Sequence, residues 1–168
     1  MRQNLRRAVF TISAVLFVAC VIRAGVRGHA SVYVGGTLSG IEKGARGQLD
    51  TGDKALAFSP GKGDDFNIPY TQITAMDYGE HAGRRVAAAV FVAWPLLFSH
   101  KKRHYLTVYF NRDEAKASEM REKIAQDPNF APTGDVAAFE INKHDFADVI
   151  DVLQAKTGLK VKLESVSH

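Results

Sequence analysis

Cysteine is nearly absent from this sequence, with one copy, Cys20, among 168 residues. A single cysteine excludes an intramolecular disulfide, so core packing alone must hold the fold together. The sequence also lacks GxGxxG, GKS/T and HExxH, the short motifs of nucleotide-binding and zinc-dependent enzymes. We therefore predict a protein that is not an enzyme and that carries no cofactor and no metal ion.

Long apolar runs are missing as well, since a helix that crosses the bilayer needs about 20 consecutive apolar residues. Two shorter runs are present, at residues 8–22 and residues 86–98. The first follows the basic stretch MRQNLRR and precedes Gly28 and Ala30, small residues suited to a signal-peptidase cut after Ala30. We predict a signal peptide or membrane anchor in residues 1–30 and one domain in residues 31–168.

Several interpretations of the N-terminus stay open. Arg23 and Arg27 lie between the apolar run and the cleavage site, which is unusual for a signal-peptidase substrate and favours an uncleaved anchor. Lipidation of Cys20 after export and a buried N-terminal helix are further alternatives. A cleaved signal peptide, an uncleaved anchor and lipidation at Cys20 all predict a protein exported across, or anchored in, the bacterial inner membrane, in the periplasm or cell envelope.

Charge is in mild positive excess, with 22 Lys and Arg against 18 Asp and Glu. The basic residues cluster, and such clusters suit phosphate-rich surfaces such as lipid headgroups or nucleic acid. No recognition-helix signature and no interleaved aromatic residues accompany them, so we expect no nucleic-acid partner. The clusters are Arg2, Arg6 and Arg7, then Arg84 and Arg85, then Lys101, Lys102 and Arg103.

Short β-rich segments separated by turn residues dominate the chain after Ser31. In HYLTVYF, apolar residues alternate with Tyr105, Thr107 and Tyr109, which predicts a half-buried strand. The sequences DTGDK and SPGKGDD predict turns between strands. The seven candidate strands are VYVGGTL, GQLD, KALAFS, DFNIPY, ITAMDYG, HYLTVYF and VAAFEIN, and LKVKLE is a possible edge strand.

Two helices are predicted between and after these strands. Residues 111–126 form one, with Asn111 as its N-cap and only a narrow apolar stripe. The other follows Asn142, its predicted N-cap, and ends at Gly158, a residue type favoured just beyond a helix C-terminus. Its apolar face must cover a core, which is expected of a helix that closes a small β-barrel. The apolar residues of that face are Phe146, Val149, Ile150 and Leu153.

A family resemblance rests on KALAFSPGKGDDFNIPYTQITAMDYGEH, KKRHYLTVYF and VAAFEINKHDFADVIDVLQAKTG. These segments resemble the PH-like superfold, in particular its GRAM-like and bacterial PH-like branches, and a group of exported bacterial proteins of the same pattern. The resemblance implies a mainly β, α+β fold: a small barrel or sandwich of about seven strands capped by one C-terminal helix. It implies a binding module and carries no catalytic residue.

The apolar insertion, residues 86–98, is the main departure from that resemblance. Basic residues flank it on both sides, so both of its ends favour the same headgroup layer. We expect it to contact a membrane surface or anionic lipid, with burial in the core, a protein partner or a homo-oligomer contact as alternatives. The inserting side chains would be Phe91, Trp94, Leu97 and Phe98. The flanking cations, here called the basic collar, are Arg84, Arg85, Lys101, Lys102 and Arg103.

Two further motifs contain residue types that are used in catalysis or metal binding. Asp50, Thr51 and Gly52 form the triplet of retropepsin-like aspartic proteases, but their neighbours depart from that pattern. A hairpin turn explains the triplet better, which leaves an aspartic-protease-like hydrolase as the weakest alternative. His100 and His104 are four residues apart, but the three cations between them would repel a metal ion.

Overall fold

The computed structural model describes residues 28–79, 103–127 and 129–163. Within these ranges the chain forms eight strands, two helices and one short 3-10 turn at Tyr70–Gln72. The helices are α1 (Glu114–Gln126) and α2 (Phe146–Thr157). The strands are β1 (His29–Gly36), β2 (Arg46–Thr51), β3 (Ala55–Pro60), β4 (Phe66–Pro69), β5 (Ile73–Gly79), β6 (His104–Phe110), β7 (Asp135–Ile141) and β8 (Lys162–Leu163).

The strands form one sheet in the order β4-β3-β2-β1-β7-β6-β5-β8. Neighbours are antiparallel except β8, which runs parallel to β5 at the sheet edge. Ile68 on β4 and Met76 on β5 are far apart in this order, yet both belong to one buried cluster, so the sheet curves around a single core. The prediction of a mainly β, α+β fold with a C-terminal helix is confirmed, with β8 as the added edge strand.

Aromatic rings fill the centre of the core. Phe139 lies between Phe58 and Tyr33, with ring centroids 5.2 Å and 5.9 Å away. All three side chains are at most 1% exposed. Large rings dominate core energetics because each removes a large apolar area from water.

The C-terminal helix α2 closes this core, as its apolar spacing predicts. Val149 and Leu153 are fully buried in the central cluster, and Phe146 packs at its margin. Gly158 adopts a left-handed conformation and ends the helix, as predicted. The predicted cap is wrong: Asp145 precedes the helix, and Asn142 instead accepts a hydrogen bond from the backbone of His144.

Helix α1 lies on the surface, but its predicted start is wrong by three residues. Asp113 is the N-cap, and its carboxylate accepts hydrogen bonds from the backbone N–H groups of Ala115 and Lys116. Asn111 supports that cap by accepting from the N–H of Asp113. Arg121 fastens the helix to the sheet by donating to the carbonyl oxygen of Ile73 at 2.7 Å.

The prediction that β6 is half-buried is wrong. On its supposedly polar face, Thr107 and Tyr109 are only 4% and 5% exposed. The strand lies between β5 and β7, and Tyr105 packs against Val34 and Ala138 in a second apolar cluster. The alternation of apolar and polar residues in β6 predicts one apolar face, but it does not show whether neighbouring strands also bury the other face.

Residues 1–27 of the N-terminal segment and the whole apolar insertion lie outside the described residues. Strand β1 begins at His29, and His29 and Ala30 pair with Leu49 and Gln48 of β2. In the part of the chain that is described, no helix combines the length and the apolar character needed to cross a membrane.

Candidate functional site

A groove of about 440 Å³ opens where four strand ends meet. Residues 30–32, 46–47, 103–104 and 140–143 line it, from β1, β2, β6 and β7 with their flanking residues. Its volume falls in the range of small-molecule sites, roughly 300–1,000 Å³. Residue 103 is where the described chain resumes after residues 80–102, so the groove adjoins the end of the connection that contains the apolar insertion.

Strand register explains why these side chains share one face of the sheet. Val32 of β1 pairs with Arg46 of β2 on one side and with Glu140 of β7 on the other. Tyr105 of β6 pairs in turn with Glu140. Directly paired residues point to the same face of a sheet, so Arg46, Val32, Glu140 and Tyr105 form a row across four strands.

An ion pair crosses this row. The guanidinium of Arg103 donates to the carboxylate of Glu140 at 2.7 Å, and both side chains are mostly shielded from solvent. That hydrogen bond raises the pKa of Arg103 above its ordinary value. Burial, followed by the charge of Glu140, raises the pKa of the neighbouring Tyr105, whereas Arg103 lowers it.

Positive charge exceeds negative charge in the groove. Among the described residues of the lining, Arg46, Arg103 and Lys143 contribute three cations, against the carboxylate of Glu140. Ser31 precedes Val32 on β1, so its side chain points to the opposite, core-facing side of the sheet and is buried there. The arrangement suits an anionic ligand, because several cations meet at one concave surface.

The structure describes only one residue of the basic collar. Arg103 lies in the groove, beside Glu140. The other residues predicted for the collar and for the insertion, Arg84, Arg85, Phe91, Trp94, Leu97, Phe98, Lys101 and Lys102, lie outside the described residues.

Sequence reasoning missed Arg46 and Lys143, because it counted cations that were adjacent in the chain. Each is an isolated cation at a strand end, Arg46 at the start of β2 and Lys143 just after β7. In the sequence, only their position at the end of a predicted strand distinguishes them from other cations. Pairing of distant strands brings them to the groove.

His104 has a structural environment. Its ring stacks on Phe146 with centroids 4.4 Å apart, and the ring of Tyr78 is parallel to both, with its centroid 5.1 Å from that of Phe146 and 6.0 Å from that of His104. Its Nδ1 shares a hydrogen bond with the hydroxyl of Tyr78. No group of three or more His, Cys, Asp or Glu side chains suited to a metal ion lies in the described ranges.

The Asp50 triplet lies in a hairpin, as predicted. Thr51 pairs with Leu56, so Gly52 begins the turn between β2 and β3. Tyr70 fixes that turn, since its hydroxyl donates to the carbonyl oxygen of Gly52 at 2.8 Å. Burial, and then the charges of Asp50 and Asp53, raise the pKa of Tyr70 to about 12.

This shift predicts a loss of stability at high pH. In the unfolded chain Tyr70 ionises near pH 10, whereas the folded protein keeps its proton up to about pH 12. The stabilisation is therefore complete below pH 10, and it is lost as the pH rises to 12. Over this range the free energy of unfolding should fall by about 2 kcal/mol. Urea unfolding at pH 9 and pH 11.5 should show a smaller pH dependence in Tyr70→Phe than in the wild type. Equal pH dependence in both proteins would contradict the assignment.

Comparisons with known proteins add little to this geometry. No family model and no curated protein matches the sequence. The solved structure of the Spt16D Pob3N heterodimer is similar over 82% of this chain, with a TM-score of 0.43 and 9% identity. This chain covers 54% of that one, about half its length. At this level the likeness does not bear on function.

Proposed function

We propose that this chain is a binding module of the bacterial cell envelope, exported or membrane-anchored, that contacts an anionic membrane surface. Its fold would belong to the GRAM-like or bacterial PH-like branch of the PH-like superfold. The contact would consist of the apolar insertion and the basic collar. One observation carries the proposal: three cations from separate segments line a groove beside the point where the insertion-bearing connection rejoins the sheet.

The strand pairing supports a single contact surface. Gly79, the last residue of β5, pairs with Tyr105 of β6, so the connection leaves and re-enters the sheet at the same place. Arg103 and the rest of the collar are close to those two points in sequence. Each Lys or Arg near an anionic surface contributes about 1 kcal/mol to binding, so several together give appreciable affinity.

Charge reversal in the collar tests this proposal. For full-length protein carrying Lys101→Glu and Lys102→Glu, we expect affinity for phosphatidylglycerol vesicles to fall at least about tenfold. The measurement is vesicle co-sedimentation, together with the emission of Trp94, the only tryptophan. Binding should weaken with added salt because ions screen exposed charges.

The matched control reverses two exposed lysines away from the groove, Lys116 on α1 and Lys160 before β8. It changes the net charge equally and should bind vesicles nearly as well as the wild type. Equal affinity of the collar variant and the wild type would refute membrane contact through the collar. Self-association would then be tested by gel filtration, where Phe98→Asp should abolish a concentration-dependent increase in size.

A further inference from the structure

We propose that the groove is a phosphate site: Arg46 and Lys143 bind the phosphate of an anionic lipid headgroup, and Glu140 limits the affinity by holding Arg103. This inference rests on the proposed function and deepens it, because it assigns the headgroup to a described surface outside the apolar insertion. It also predicts that one acidic residue opposes binding.

The two free cations of the groove are within reach of a common ligand. Arg46 and Glu140 both flank Val32, one strand away on each side, so their Cα atoms lie about 10 Å apart. Lys143 follows β7 by two residues and lines the same groove. Within the described residues neither Arg46 nor Lys143 makes an ion pair, so both charges are available to a ligand.

The donor set matches phosphate chemistry. An arginine guanidinium donates two parallel hydrogen bonds to phosphate oxygens, and lysine adds a compact positive charge. Arg46 and Lys143 both line the groove, so the two kinds of donor are available at one surface.

Glu140 acts against this site. Its carboxylate accepts a hydrogen bond from the guanidinium of Arg103 at 2.7 Å, and it carries the only negative charge among the described residues that line the groove. Removing that charge leaves Arg103 free to face the ligand. The Glu140→Gln variant should therefore bind phosphate more tightly than the wild type, although it loses an ion pair. A purely structural role for Glu140 predicts unchanged or weaker binding.

The test uses full-length, ¹⁵N-labelled protein and two probes, soluble glycerol 3-phosphate and vesicles containing phosphatidylglycerol. Amide shifts report the soluble probe, and co-sedimentation reports the vesicles. In the variant with Arg46→Gln and Lys143→Gln we expect both affinities to fall at least about tenfold. In Glu140→Gln we expect them to rise about threefold. The control with Lys116→Gln and Lys160→Gln, which loses the same charge elsewhere, should match the wild type.

Each outcome separates the inference from the proposed function. Loss of both affinities in the groove variant, with retained amide dispersion, supports the phosphate site and its lipid source. Glycerol 3-phosphate shifts at the groove without any vesicle binding support a phosphate site for a soluble ester and overturn membrane binding. If the groove variant binds vesicles as well as the wild type does, the phosphate site is overturned and membrane binding is not. If the wild type binds neither probe, both the phosphate site and membrane binding are overturned.

Discussion

Gly36→Ala should lower the free energy of unfolding by about 4 kcal/mol, a large part of what a small domain has. A Cβ atom at this position would lie 2.1 Å from the carbonyl oxygen of Val136. The backbone there has φ of +149°, a conformation that L side chains rarely adopt. Strain and overpacking each cost up to about 3 kcal/mol, and both apply here. Urea unfolding followed by circular dichroism measures the loss.

Gly40→Ala is the matched control for this prediction. Gly40 also has a positive φ, +86°, but no atom lies within 4 Å of a Cβ added there. Its substitution by alanine should lower the free energy of unfolding only by the backbone strain of a positive φ, about 1 kcal/mol. A similar loss in both variants would mean that the close approach of β1 to β7 does not matter.

Phe139→Ala should be nearly as damaging, with a loss of about 3–5 kcal/mol. Its ring is fully buried between the rings of Phe58 and Tyr33, so truncation leaves a cavity that two large neighbours must collapse into. The near-ultraviolet circular dichroism signal of the aromatic cluster should weaken as well.

Phe130→Ala makes the corresponding change at an exposed site. Phe130 is 36% exposed and lies before β7, outside the central cluster. Its loss should change the free energy of unfolding by about 0.5 kcal/mol or less. If Phe139→Ala cost no more than Phe130→Ala, the aromatic cluster would not be the centre of stability.

Most of the strands could be predicted because their signals are local. HYLTVYF and ITAMDYG match β6 and β5 residue for residue, since β-rich segments were bounded by turn and helix residues. Gly158 ended α2 as expected because a left-handed C′ position favours glycine. The N-caps were less predictable, since Asn111 and Asp113 both have side chains that can cap a helix.

The groove could not be predicted in the same way. Arg46, Arg103 and Lys143 are far apart in the chain, and they meet because β1 pairs with both β2 and β7, and β7 pairs with β6. Register between distant strands depends on the whole core and not on neighbouring residues. The burial of Thr107 has the same origin, because it depends on what neighbouring strands place on the second face of the sheet.

The pairing of Gly79 with Tyr105 gives the fold a modular character. The two ends of the connection are held side by side by the sheet, so the segment that links them has no distance to span. Even a short hairpin turn has the reach to join β5 to β6. The length of this connection is therefore free to vary, by evolution or by engineering, without a change in strand order.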